Sequence, residues 1–96
     1  MIRIQTANNP GGITIALDGQ LAGEYVGEVE ASIQKANEQR RNVHLFLRDI
    51  SHIDKAGHSL LSRVAAQGVK LSAAGLYSSY VIEQIQRTLI GRESMK

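Results

Sequence analysis

Residues 43–61 read VHLFLRDISHIDKAGHSLL and contain two different hydrophobic periodicities side by side. The apolar run over residues 43–47 is typical of a strand, and the apolar positions after residue 54 recur at helical spacing, which predicts a helix over residues 55–67. Asp54 stands directly before this helix, where its carboxylate can accept hydrogen bonds from the free N–H groups of the first turn. Because Gly57 has no side chain, we expect the backbone of this turn to be presented as a surface.

The chain on either side of this stretch repeats the same two patterns. Two alternating segments joined by Asn8-Asn9-Pro10-Gly11-Gly12 predict an antiparallel β-hairpin. Apolar residues at three- and four-residue steps predict two more helices, and a last alternating segment predicts a fourth strand. The predicted strands are residues 1–5, 13–17, 43–47 and 69–73, and the predicted helices are 22–39, 55–67 and one that follows a cap at Ser78 or Ser79.

The predicted order of elements, ββαβαβα, indicates an α/β fold with a mixed four-stranded sheet. Most of the strands keep polar residues on one side, so we expect the helices to lie mainly on one face of the sheet. The 96 residues suit a single domain, with a core over residues 2–89 and a polar, flexible tail over residues 90–96.

Composition excludes several classes of function. The chain has no cysteine, and therefore no disulfide framework, thiolate nucleophile or cysteine-ligated zinc. A net charge of +2, with scattered basic residues and three Tyr and one Phe as the aromatic side chains, does not favour nucleic acid. The Arg40-Arg41 pair is interpreted as favourable charge at a helix C-terminus. No apolar run is long enough to cross a bilayer and no cleavable apolar segment begins the chain, so we expect a cytoplasmic protein without direct membrane insertion.

Residues 45–57, LFLRDISHIDKAG, resemble the motif of STAS domains, the fold of bacterial anti-sigma factor antagonists and of the cytoplasmic tails of sulfate transporters. The matching positions are Ile50, Ile53, Asp54 and Gly57, and the resemblance covers about residues 13–89. It implies a STAS-like single domain. STAS domains usually add another strand and helix, for which residues 91–96 are too short and too polar, so the resemblance implies either a truncated fold or a partner that covers an exposed sheet edge.

Two positions depart from the family's pattern. In phosphorylated antagonists the residue before the motif glycine is the serine that a partner kinase modifies, and here it is Ala56, which has no hydroxyl group. The aspartate that usually ends the strand corresponds to Phe46. The resemblance therefore implies an antagonist that is not phosphorylated at the usual site, with Ser59 as a weaker alternative acceptor.

The resemblance implies a non-enzymatic regulatory module that binds a protein partner, without a cofactor. Its partner-binding residues would be Asp54, Lys55, Ala56, Gly57, His58 and Ser59, at a helix N-terminus that also favours an anion such as a phosphoryl group. The leading partner is an anti-sigma factor of the kinase type. The alternative is a STAS adaptor subunit that binds a transporter ATPase or another assembly subunit, and self-association stays open.

Other chemistry in the same segment is less favoured. Ser51, His52 and Asp54 are residue types of hydrolase triads, but they lie too close together in one connection to build the nucleophile–base–orienter geometry. A metal site or small enzyme that uses His52 and His58 lacks a second cluster of ligands in the sequence, so no catalytic or metal-binding residue is predicted.

Overall fold

The computed structural model describes residues 1–94, which form four strands and three helices in the predicted order ββαβαβα. The sheet and helices make one compact α/β domain. The bounds are β1 (Ile2–Asn9), β2 (Gly12–Leu21), α1 (Tyr25–Glu38), β3 (Val43–Ile53), α2 (Lys55–Ala66), β4 (Lys70–Ala73) and α3 (Leu76–Ser94). None of the helices in this part of the chain is both long enough and apolar enough to cross a membrane.

The sheet is mixed and has the spatial order β1-β2-β3-β4. β1 pairs with β2 in antiparallel register from Ile2↔Gly19 to Asn9↔Gly12, around a turn at residues 10 and 11. β2 pairs with β3, and β3 with β4, in parallel register. The predicted hairpin and the predicted fold class, a mixed four-stranded α/β sheet, are therefore confirmed.

One face of the sheet carries the core, and within residues 1–94 no helix covers the opposite face. Side chains at every second position of β2 and β3 pack with residues from all three helices in one buried cluster, as the alternation predicts. The strand members of this cluster include Ile13, Ile15, Leu17, Val43, Leu45, Leu47 and Leu71. The intervening residues form the open face, defined here by Arg3, Gln5, Thr14, Ala16, Asp18, His44, Phe46, Arg48, Lys70 and Ser72.

β3 is longer than the sequence predicts. The residues that follow Leu47 read as a polar connection, but the strand continues to Ile53. Its register against β2 shifts twice, between Leu17 and Asp18 and again between Gly19 and Gln20. Each shift inserts an extra residue into β3, so the buried positions change from two-residue steps to three-residue steps and Ile50 and Ile53 still face the core. Because of these bulges, the second half of β3 does not show the two-residue alternation from which a strand is predicted.

α3 also differs from the prediction at both ends. It begins at Leu76, before the predicted caps. Ser78 is buried, 1% exposed, and its hydroxyl donates to the carbonyl oxygen of Ile50 at 3.5 Å, while Ser79 is exposed. The helix continues to Ser94, so much of the segment predicted as a tail is helical, and residues 95 and 96 lie outside the described residues.

Arg41 has a role that its sequence position does not reveal. Its guanidinium donates to the side-chain oxygen of Asn8 at 3.0 Å and to the carbonyl oxygens of Asn9 and Gly12, which belong to the β1–β2 hairpin. It therefore ties the hairpin turn to the connection between α1 and β3. The preceding residue, Arg40, adopts a left-handed conformation, φ 56°, as is common just after a helix.

Candidate functional site

Asp54 is the N-cap of α2, as predicted, and it also holds a second segment. One carboxylate oxygen accepts the N–H of Gly57 at 2.8 Å, and the other accepts the N–H of Gly23 at 2.9 Å. Gly23 lies in the turn between β2 and α1, so a single side chain joins this turn to the start of α2. The hydrogen bonds from the amides of Gly23 and Gly57 hold the pKa of Asp54 below its ordinary value.

This arrangement limits which amides at the helix N-terminus could bind an anion. The N–H of Gly57 is already bound to the Asp54 carboxylate, and the N–H of His58 donates to the Asp54 carbonyl oxygen at 2.9 Å. The chain's own negative charge therefore lies where an external anion would bind the helix N-terminus. A phosphoryl group that binds the Gly57 amide would have to displace the Asp54 side chain.

Asp54→Asn should remove a pH-dependent part of the protein's stability. A folded-state pKa that lies below the unfolded value stabilises the native state. This contribution is fully present above the unfolded pKa, about 3.9, and is lost as the pH falls through the lowered folded pKa. Urea unfolding of the wild type and the variant should therefore give a stability difference at neutral pH that shrinks in acid. A difference that stays constant across this pH range would contradict the two amide contacts.

Gly57 is buried, which overturns the expectation that it presents exposed backbone. A Cβ atom built on this residue would lie 2.2 Å from the carbonyl oxygen of Leu21 and 3.0 Å from the Leu21 Cγ. The missing side chain therefore allows α2 to approach the end of β2 closely. Gly57 belongs to the packing of the site and not to its accessible surface.

The accessible part of the predicted segment is smaller than residues 54–59. Asp54 is half-buried, whereas Lys55, Ala56, His58 and Ser59 are exposed. The methyl group of Ala56 thus occupies the outer surface at the position where the resemblance implies a phosphoacceptor. Ser59 is also accessible, one turn into the helix.

The start of α3 extends this surface. The hydroxyl of Tyr77 accepts the N–H of Ile53 at 3.0 Å and donates to the carbonyl oxygen of the same residue at 3.4 Å. Because Ile53 immediately precedes Asp54, these bonds place the first turn of α3 beside the start of α2. Leu76 is 93% exposed and Tyr80 is 62% exposed, four residues apart on the same side of the helix.

We name the exposed set Lys55, Ala56, His58, Ser59, Leu76 and Tyr80 the α2–α3 surface. Sequence reasoning missed its α3 half. The sequence contained an indication of this half. Leu76 and Tyr80 lie outside the buried stripe formed by Val81, Ile82 and Ile85. A large apolar residue outside the core stripe of a helix is a reason to examine an exposed patch.

Tyr77→Phe should destabilise the junction between β3 and α3. β4 stops pairing with β3 at Leu47, so Ile53 has Tyr77 as its partner on that side. Loss of the hydroxyl leaves a half-buried N–H without this acceptor, and we expect a cost of about 0.5–1.5 kcal/mol in unfolding free energy. Hydrogen exchange should show faster exchange at the Ile53 amide than in wild type. An unchanged Ile53 amide would contradict the contact.

The alternative chemistry of this segment gains no geometric support. His52 and His58 are both exposed. Within residues 1–94, no three His, Cys, Asp or Glu side chains converge as the ligands of a metal ion would. A cleft of about 400 Å³ lies at the opposite end of the sheet, beside the hairpin turn, and none of the residues 54–59 lines it.

Phe46 is not part of the candidate site. It is half-buried on the open face, where its ring centroid lies 6.5 Å from that of His44. On the same face, Arg48 forms an ion pair with Asp18 and donates to the side-chain oxygen of Gln5 at 2.7 Å. The Arg48 guanidinium holds the pKa of Asp18 below its ordinary value.

The motif residues that suggest a family lie together at the end of β3 and the start of α2. Ile50 and Ile53 enter the core, Asp54 caps the helix and Gly57 packs on β2. No protein-family model matches the chain, and no curated protein matches it either. The resemblance to STAS domains therefore stays an expectation from these residues, and the function has to be proposed from the geometry of the site.

Proposed function

We propose that this chain is a non-enzymatic interaction module that binds a protein partner through the α2–α3 surface. The observation that carries this proposal is the exposure of Leu76 and Tyr80 at the start of α3, where the Tyr77 hydroxyl bonds to Ile53, just before the exposed first turn of α2. Burying these side chains in a partner would remove apolar area from water. Tyrosine is also among the residue types that contribute most to protein interfaces.

The charges at this surface define the partner's chemistry. Lys55 carries a positive charge, His58 offers a ring N–H as a hydrogen-bond donor, and the carboxylate of Asp54 is bound to two backbone amides. A suitable partner has an apolar pocket for Leu76 and Tyr80, with acidic groups at the rim facing Lys55. Complementary charges of this kind raise the association rate more than the final affinity.

The resemblance to anti-sigma factor antagonists adds a specific form of this proposal. In that family the unphosphorylated antagonist captures a kinase-type anti-sigma factor and thereby frees a sigma factor. Since Ala56 has no hydroxyl group to receive phosphate, this chain would stay competent for capture and would be controlled by the availability of its partner. It would act in the cytoplasm, where that partner resides.

An adaptor subunit of a transporter or of another assembly is the second candidate. The feature that favours it is the outer edge of the sheet at β4, which pairs on one side with β3. A neighbouring subunit that adds a strand there would continue the sheet. This candidate predicts a stable complex that contains an ATPase or transporter component and resists substitutions at Leu76 and Tyr80.

A capture experiment with matched variants separates the two candidates. The immobilised wild type, Leu76→Glu/Tyr80→Glu and the control Ala31→Glu/Gln34→Glu are exposed to host lysate, and the retained proteins are identified. The control adds the same charge to exposed positions of α1. We expect a kinase-like partner that binds the control normally and the first variant at least about tenfold more weakly. Equal retention by all three proteins would contradict docking at the α2–α3 surface.

A phosphorylation assay tests the proposal that this chain stays competent for capture because it lacks the phosphoacceptor. The wild type and Ser59→Ala are incubated with the captured kinase and ATP, and intact masses are recorded. We expect no added phosphate on either protein. Stoichiometric phosphate on the wild type that is lost in Ser59→Ala would show that Ser59 replaces the missing acceptor and would overturn constitutive competence.

A further inference from the structure

We propose that two copies of this chain associate through β1, which pairs antiparallel with β1 of the second copy about a two-fold axis at Gln5. The sheet would then continue from one copy into the other. This association uses the edge of the sheet farthest from β4, whereas α3 packs against β3 and β4. It is therefore independent of docking at the α2–α3 surface.

The hydrogen-bond pattern of the hairpin shows which groups of β1 are free to pair. The N–H of Gln20 donates to the carbonyl oxygen of Met1 at 3.0 Å, and the register then continues without a shift from Ile2↔Gly19 to Asn9↔Gly12. In an antiparallel ladder, bonded and non-bonded pairs alternate. The odd-numbered residues of β1 therefore bond to β2, and the backbone N–H and C=O groups of the even-numbered residues point outward. These residues are Ile2, Ile4, Thr6 and Asn8.

β1 lacks the usual devices that prevent edge pairing. It has eight residues, no bulge and no proline, and its single charged side chain is Arg3. The other edge strand, β4, has four residues and begins with Lys70. Short strands, lysine, proline and bulges are the features by which natural edge strands avoid association. The contrast between the two edges identifies β1 as the strand suited to a second copy.

The side chains favour a self-pairing with Gln5 on the axis. This register pairs the full length of residues 2–8 and satisfies all the outward backbone groups of the even-numbered residues. It places Ile4 opposite Thr6 of the second copy, and Arg3 opposite Ala7, so like charges do not meet. Ile2 and Ile4, which are half-buried beside the core, would lose more of their exposure to water.

The expected dimer is weak. One pair of strands buries a small surface compared with the roughly 1,200–2,000 Å² of standard stable interfaces. We therefore expect the mass in sedimentation or light scattering to rise from monomer toward dimer as the protein concentration increases through the micromolar range. A monomer mass throughout that range would overturn the proposal.

A proline substitution tests the outward amides. Thr6→Pro removes an N–H that points away from β2, so the hairpin ladder is kept, and proline is tolerated at such edge positions. Thr6→Ala is the control that changes the same side chain and keeps the N–H. We expect the proline variant to remain monomeric where wild type and Thr6→Ala dimerise, with native circular dichroism in all three. Dimerisation of a folded Thr6→Pro variant would exclude this edge.

A cysteine substitution tests the register. Wild type contains no cysteine, so Gln5→Cys introduces a single thiol per chain. In the proposed register, Gln5 lies opposite Gln5 of the second copy in a non-hydrogen-bonded pair. The Cα atoms of such a pair are about 4.5 Å apart, within the range that disulfides span. Under mild oxidation Gln5→Cys should therefore form a covalent dimer much faster than Gln34→Cys, which has its thiol on an exposed position of α1. Equal rates for the two variants would place the axis elsewhere and contradict the register.

Discussion

Gly57→Ala should lower the free energy of unfolding by about 1–3 kcal/mol, the range typical of overpacking in a filled interior. The added methyl group would lie 2.2 Å from the Leu21 carbonyl oxygen, which is part of the backbone and cannot move aside alone. Either α2 must retreat from the end of β2, or the end of β2 must shift. For a domain of this size each kcal/mol corresponds to a Tm change of about 4–8 °C.

Gly27→Ala is the matched control. Gly27 also lies in a helix, but it is exposed on α1 and a Cβ atom there meets nothing within 4 Å. Alanine is a better helix former than glycine by up to about 1 kcal/mol, so this variant should be more stable than wild type. Thermal unfolding should give changes of opposite sign for the two substitutions. Stabilisation by Gly57→Ala would mean that α2 does not approach β2 as closely as described.

Leu45→Ala should lower the free energy of unfolding by about 2–5 kcal/mol, because it removes a fully buried side chain and leaves a cavity among packed neighbours. Leu45 is 0% exposed and lies on the helix-covered face of β3. Its neighbour Phe46 lies on the open face, and Phe46→Ala should cost a fraction of this amount although it removes more atoms. Urea unfolding of the two variants measures the difference directly.

The comparison of these neighbours tests whether the helices cover one face of the sheet. A cost for Phe46→Ala as large as that for Leu45→Ala would mean that the open face is buried in solution. The edge pairing proposed for β1 adds strands beside the sheet and does not cover this face. Both variants should therefore be measured at a concentration where the protein is monomeric.

The fold could be predicted from the sequence wherever the hydrophobic pattern of a single element was sufficient. Alternation in β2 and three- and four-residue spacing in α1 and α2 each indicate one element. The second half of β3 was not accessible, since its two bulges change the spacing of the buried residues from two to three. Bulges depend on pairing with β2, which a local pattern does not contain.

The candidate site could be predicted only in part, because several of its contacts join residues that are distant in the sequence. Asp54 as the cap of α2 follows from its position before an apolar helix, but its bond to Gly23 joins residues 31 positions apart. The burial of Gly57 likewise depends on the approach of Leu21. Tyr77 was missed because its hydrogen bonds to Ile53 depend on where β4 ends and α3 begins.

These contacts would hold the proposed docking surface in one conformation before a partner binds. The Asp54 carboxylate bonds the start of α2 to the turn before α1, and Gly57 allows α2 to pack closely against β2. The Tyr77 hydroxyl bonds α3 to the end of β3. Leu76 and Tyr80 stay exposed on this support. A preorganised surface loses less conformational entropy when it binds, which favours affinity.

The most direct test of docking is a backbone amide NMR titration of the isotope-labelled chain with the partner recovered by capture. We expect the largest chemical-shift changes or line broadening at residues 55–59 and 76–80, with the amides of β1 and of the exposed side of α1 little changed. Perturbations confined to the open face of the sheet or to β1, with the starts of α2 and α3 unaffected, would contradict the proposed α2–α3 surface.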